Sequence, residues 1–105
     1  MKSMSAKQLR SKAEKLRDKV TDLEASFMVY KSSTMPRDRK RRAVDAMASK
    51  ARKYAKEAGA LAKAAEKGKF KVEDALNVKG SIRRLKSAEK ESKIVESKAK
   101  ALRVG

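Results

Sequence analysis

The chain has 105 residues, with 30 Lys or Arg against 13 Asp or Glu, a formal net charge of +17, and no Cys, His or Trp. Missing Cys and His remove disulfides, thiol nucleophiles, the commonest general base and the usual zinc, haem and iron–sulfur ligands, so neither metal nor cofactor is expected. One domain, residues 1–105, is the ceiling at this length, and no apolar run is long enough to span a bilayer.

The first segment, about 5–31, places Leu9, Ala13, Leu16, Val20, Leu23, Phe27 and Tyr30 at spacings of 4 and 3 in unbroken alternation. That is a heptad seam, with polar residues filling nearly everything between, and it predicts an amphipathic helix. Lys-Ser-Ser-Thr-Met-Pro (31–36) ends it. The Ser and Thr residues there are N-cap candidates for the next helix, and Pro36 suits its first turn.

The second segment, about 37–67, has the seam Val44, Met47, Ala51, Tyr54, Ala58, Leu61 and Ala65, flanked by a second column of Ala48, Ala55 and Ala62. Alanine in both columns lets a partner helix approach closely, over a length of roughly 45 Å at ~1.5 Å per residue. Gly59 falls off this seam and is expected to be tolerated. Gly68 then stops the helix as a C′ residue, with Phe70 packing back over the last turn.

A third helical stretch starts near Val72, with Glu73 and Asp74 in its first turn. Asn77 and Gly80 are expected to break it, leaving a short helix and a long one at 81–103 that Ser81 caps afresh. The seam of the long one is Ile82, Leu85, Ala88, Ser92, Val95, Ala99 and Leu102. The fold expected is all-α: an elongated antiparallel bundle of three long amphipathic helices with a thin core, the third broken near Gly80. Leu16, Val20, Leu23, Met47, Tyr54, Leu61, Leu85 and Val95 should be the most buried. Such a core, opposed by self-repulsion, leaves the free protein marginal and open to stabilisation by whatever neutralises it.

No catalytic constellation is present. The glycines at 59, 68, 80 and 105 are too scattered for a phosphate loop, and the serines have no histidine as base. The protein is therefore not expected to be an enzyme. The positive excess points to phosphate, since each Lys or Arg contact to a nucleic-acid backbone releases counterions. Residues 36–71 hold about half of that excess, with 13 basic and 4 acidic groups. Within them, Arg37, Arg39, Lys40, Arg41 and Arg42 form the densest cluster, and four arginines favour bidentate phosphate geometry. The same cluster also fits a nuclear-localisation pattern.

With Val44 at heptad position a, Arg39, Lys53 and Lys67 fall at c while Arg42, Lys56 and Lys63 fall at f. They form one cationic stripe opposite the apolar seam, with Arg52 alongside. Arg83, Arg84, Lys86 and Lys90 form a weaker set on the third helix, continued by Lys93, Lys98, Lys100 and Arg103 and interrupted by acids at 89, 91 and 96. All four aromatics lie on seams or at a turn. No stacking platform is therefore expected, and DNA or RNA would be held by backbone and shape with little base readout.

Two further features need a place. Glu14, Asp18 and Asp22 lie four apart on the first helix, either as a seam docking on basic residues of the second helix or another copy, or as a solvated face relieved by Arg10, Lys15 and Arg17. Phe27-Met28-Val29-Tyr30 is a continuous apolar run whose off-seam members imply a contact with the third helix or a protein partner, including self-association.

The function expected is a structural nucleic-acid-binding protein, a genome-packaging, nucleoid or ribonucleoprotein component. In broad composition the chain resembles small lysine-rich helical proteins of ribosomes and helical virion or nucleoid proteins that coat DNA, and no residue roles transfer from either. The alternatives are a helical scaffold assembling on anionic membranes and a coiled-coil adaptor. Residues 1–13 are basic and lack acids, as organellar leaders do. An intracellular or virion-associated place, cytoplasmic or nucleoid before organellar and not secreted, is the expectation.

Overall fold

The computed structural model describes residues 4–32 and 34–104, the last two by backbone alone. Three long helices follow one another: α1 (Ala6–Ser32), α2 (Arg37–Lys67) and α3 (Ala75–Val104), the last preceded by a short 3₁₀ turn at Val72–Asp74. No strand occurs among the described residues. The helices pack as an all-α bundle measuring 54 × 20 × 18 Å.

The helix ends follow from local chemistry. Ser5 and Gln8 form a reciprocal capping box: the Gln8 amide donates to Ser5 Oγ at 3.2 Å and the Ser5 amide to Gln8 Oε1 at 3.1 Å. At the far end, Ser32 Oγ folds back on the last turn of α1, within hydrogen-bond distance of the carbonyls of Met28 at 3.0 Å and Val29 at 3.3 Å. Pro36 is the N-cap of α2 and not its first helical residue; no side chain caps that end, and the first helical bond runs from the Lys40 amide to the Pro36 carbonyl. The hydroxyl caps expected there are not used, and Ser33 lies outside the described residues. Gly68 ends α2 at φ −71°, so it serves no left-handed turn. Its role is space, because a Cβ there would meet the Phe70 ring at 2.9 Å as that ring folds back over the helix end.

The core has two parts that fix the topology. Leu9, Ala13, Leu16 and Val20 pack with Ala58, Ala62 and Ala65 and with Val78, Leu85 and Ala88. Leu23 and Phe27 pack with Val44, Met47, Ala51, Val95 and Ala99. The start of α1 therefore meets the end of α2 and the start of α3, so consecutive helices are antiparallel. Tyr54 touches both clusters. Ser92, fully buried between them on α3, leaves its hydroxyl without a hydrogen-bond partner.

The third helix differs from expectation. It runs unbroken through Asn77 and Gly80 from Ala75, and its buried seam extends upward through Ser81 and Val78. Val78, Ser81, Leu85, Ala88, Ser92, Val95 and Ala99 alternate at 3 and 4, whereas Ile82 is only half-buried. Serine is small enough to sit in the seam against a neighbouring helix, so Ser81 is a packing residue and not a cap. Gly80 falls on the outward side, where its helical cost of about 1 kcal/mol is outweighed by seam contacts above and below.

The second helix is rotated slightly from its predicted orientation. Ala55 and Ala62 are buried, while Tyr54 and Leu61 are half-buried. The most extensive interface is α2 with α3 and the smallest is α1 with α2. The alanine column thus faces α3, and the bulkier Tyr54 and Leu61 turn toward α1.

Leu85, with no exposed surface, should lose about 2–4 kcal/mol on Leu85→Ala in urea unfolding. Leu61→Ala, at a half-buried position, should lose clearly less; equal losses would contradict this rotation of α2. A Cβ at position 80 meets nothing within 4 Å, so Gly80→Ala should stabilise by roughly 0.5–1 kcal/mol. A destabilised Gly80→Ala would show that the third helix is broken there after all.

Candidate nucleic-acid interface

The outward face of α2 is set by its buried one. With Val44, Ala51, Ala58 and Ala65 inside, positions c and f point to solvent, and Arg39, Arg42, Lys53, Lys56, Lys63 and Lys67 are all exposed, as is Arg52 beside them. Among the described residues none of these seven makes an ion pair or side-chain hydrogen bond. From Arg39 to Lys67 the stripe spans roughly 42 Å at ~1.5 Å per residue.

The N-terminal cluster divides. Arg37, Arg41 and Arg42 are exposed, whereas Lys40 is half-buried and donates from Nζ to the Lys31 carbonyl at 3.3 Å. Lys40 thereby sits against the C-terminus of α1, where the helix dipole favours a cation. It links two helices and does not belong to the outward stripe.

The candidate residues of α3 are placed differently. Arg84 Nη1 donates to Glu14 Oε1 at 3.0 Å, and Lys86 Nζ lies 2.8 Å from Glu66 Oε1 of α2. Lys93 and Lys100 lie 3.6 and 3.7 Å from Glu89 and Glu96, one turn back on the same helix. Arg83 and Lys90 are exposed, but neither lines the groove that α3 shares with α2. Of the α3 cations only Lys93 lines the groove beside α2, where it lies against Glu89. Acids hold Arg84, Lys86, Lys93 and Lys100, whereas the α2 stripe has no ion pair among the described residues.

The acidic residues of α1 divide as well. Glu14 accepts from Arg10 at 3.2 Å as well as from Arg84, so it docks on α3 and not on α2. The Arg10 hydrogen bond, joined by that of Arg84, holds its carboxyl below the ordinary value against the opposing effect of burial. Asp18 and Asp22 are exposed. On the apolar run, Phe27 is buried and Tyr30 half-buried in the core, while Met28 and Val29 are exposed. Met28 lines an α1–α3 groove with Ile94, Glu24 and Glu91.

Two grooves flank the α2 stripe. One, of about 560 Å³, lies between α2 and α3 and is lined by Arg52, Lys56 and Lys63 on one wall, with Glu89, Lys93 and Glu96 on the other. Ala55 and Gly59 form its floor and Ala60 its outer rim, and a Cβ at Gly59 would meet the Glu89 carboxylate. A side chain at position 59 would therefore displace the end of the Glu89 side chain. The other groove, of about 370 Å³, lies between α1 and α2 and brings Lys12, Lys15 and Lys19 opposite Glu57 and Leu61. From the sequence only Lys15 is named, as relief for the acidic face, and none of the three as a phosphate contact. Their signal, Lys12 and Lys19 seven apart beside the seam with Lys15 between them, is visible only once it is known which flank of α1 faces α2.

Among the described residues no cluster of three or more His, Cys, Asp or Glu is placed to hold a metal ion, and no helix is long and apolar enough to cross a membrane. Comparison with family models, curated proteins and solved structures finds no match for the chain.

Burial raises the Glu24 carboxyl above its ordinary value, and the charge and hydrogen bond of Glu91 raise it further, with Lys98 opposing. A carboxyl whose pKa is higher folded than unfolded favours the fold when protonated, and that contribution is lost as pH rises through the folded pKa. Glu24→Gln should therefore raise the free energy of unfolding in urea at pH 7, by less than about 1 kcal/mol for so open a pair. The advantage should shrink as pH falls through the raised pKa; a variant less stable than wild type at pH 7 contradicts the carboxylate repulsion.

Proposed function

We propose that the protein is a non-enzymatic, structural nucleic-acid-binding protein that holds the phosphate backbone of DNA or RNA along the outward face of α2, as a genome-packaging, nucleoid or ribonucleoprotein component. The observation that carries this reading is the row of unpaired cations along one face of a single helix. The α3 carboxylates and Glu66 hold α3 lysines, and Arg39, Arg42, Arg52, Lys53, Lys56, Lys63 and Lys67 are left unpaired on one face. A row of unpaired cations on a rigid helix is a repulsive arrangement that an anionic polymer relieves by counterion release. The face carries Ala46 and Ala60 between its cations and no aromatic residue, which suits backbone contact with little base readout.

A second reading has an observation of its own. Val72 and Leu76 are 94% and 84% exposed at one end of the bundle, with Lys67, Lys69, Lys71 and Lys79 close in sequence. Aliphatic side chains among lysines suit adsorption to an anionic membrane surface. Flotation with phosphatidylserine vesicles, run beside gel shifts with DNA and RNA, separates the two readings.

If the stripe with Arg37 and Arg41 neutralises about six to eight phosphates, log K against log salt on a duplex should have a slope near −5 to −7. Replacing Arg39, Arg42, Lys53 and Lys56 together by Gln should flatten it by about 3 to 4 units on every sequence alike. Gln keeps helix propensity, so unchanged helix content is the control. The matched replacement of Arg83, Arg84, Lys86 and Lys90 should do less, since Glu14 and Glu66 already hold two of these cations. A wild-type slope near zero would end the nucleic-acid reading.

A further inference from the structure

We infer that the ligand is double-helical and that its two strands lie in the two grooves flanking α2, one against Lys12, Lys15 and Lys19 of α1 and the other against Arg52, Lys56 and Lys63. This rests on the phosphate-binding reading above and extends it to a second helix and to one class of nucleic acid.

The argument starts at Ala60, which lines both grooves. A methyl group at the crest of α2 leaves no barrier between them, so one body reaches both at once. The grooves are separated by the width of one helix, about 10 Å. A single line of phosphates, bonded at about 2.8 Å, does not meet both walls at the same level. A B-form duplex presents two phosphate rails across a major groove of about 12 Å, which matches that separation.

The charges agree. Lys12, Lys15 and Lys19 are exposed and, among the described residues, without ion pairs, although Glu57 stands across the groove. In the other groove Glu89 and Glu96 belong to the α3 wall, where Lys93 and Lys100 hold them. The phosphate track is thereby confined to the α2 wall, beside Arg52, Lys56 and Lys63. Each groove thus offers three unpaired cations to its own strand.

Single strands are disfavoured by the aromatics. Phe27 is buried, and Tyr30, Tyr54 and Phe70 are half-buried on core positions. None forms the exposed platform on which unpaired bases stack. A rod 54 Å long also matches a stiff partner, and duplex DNA is straight over about 500 Å.

The test uses the full chain with a 16-base-pair DNA duplex, an RNA duplex of the same sequence and the separate single strands, titrated by fluorescence anisotropy across a salt series. Wild type should bind at least one duplex ten or more times tighter than the single strands, and the DNA and RNA arms identify which. The variant Lys12→Gln with Lys15→Gln and Lys19→Gln should flatten the duplex slope by about 2 to 3 units. It should move the single-strand slope by less than about 1 unit, so that the duplex preference collapses. A charge-matched control, Arg83→Gln with Lys86→Gln and Lys90→Gln, should keep the preference. Ala60→Gln, neutral and at an exposed helical position, should weaken duplex binding alone by obstructing the crest, and circular dichroism confirms that each variant is folded. Equal affinity for single strands, or a triple α1 variant that binds duplex like wild type while the α2 variant does not, overturns the two-strand inference and leaves the α2 reading standing. Absence of salt-dependent binding to any of the four ligands removes both.

Discussion

Ala51, Ala55, Ala58, Gly59 and Ala62 give α2 a flank with almost no side chain, and α3 packs on it more extensively than any other pair of helices in the bundle. Most of the surface chemistry follows from that close approach. Because a helix can bury only one stripe, drawing the alanine column inward turns positions c and f outward with their cations. It also rotates Tyr54 and Leu61 toward α1, where their bulk leaves a groove that Lys12, Lys15 and Lys19 overlook. And it lays the Glu89 carboxylate against the α2 backbone at Gly59, where a Cβ would push it aside.

The distribution of carboxylates then decides where the charge of +17 is felt. Glu89 and Glu96 stand across a groove from Arg52, Lys56 and Lys63, yet their ion pairs are with Lys93 and Lys100 of their own helix. Exposed pairs of this kind contribute little to stability, about 0–1 kcal/mol. Their effect is on the pattern of the field. They tie up Lys93 and Lys100 and leave the cations of the α2 stripe without an ion pair among the described residues.

Much of this was legible in the sequence, and the exceptions have physical causes. The heptads of α1 and α2 are dense enough in Leu, Val, Ala and Phe to reveal both helices and their ends to within a residue or two. Gly80 misled because its cost is local, about 1 kcal/mol, whereas the seam that carries α3 across it is tertiary. Ser81 misled because a small hydroxyl residue reads as a cap when only its neighbours in sequence are known. Tyr54 and Leu61 looked like core because size was taken for depth, but close helix packing selects small residues, and the alanines went deeper. The α2 stripe was visible because it lies on one helix. The lysines of α1 were not, since pairing them with α2 needs the rotation of two helices at once. Lys40 looked like any other member of its cluster until the end of α1 was placed beside it.

The buried hydroxyl of Ser92 connects the core to the basic face. It lies between the two apolar clusters, unpartnered, where a buried polar group costs about 1–3 kcal/mol. On α2, Tyr54 packs against both clusters. The two halves of the core thus meet at Ser92 and Tyr54. Arg39 and Arg42 lie toward the half built on Val44 and Met47, while Lys63 and Lys67 lie toward the half built on Ala62 and Ala65. A ligand bound along this face engages both halves, and binding to the folded chain alone stabilises it by linkage. If the ligand is the phosphate backbone proposed above, its affinity and the stability of the fold are coupled through α2.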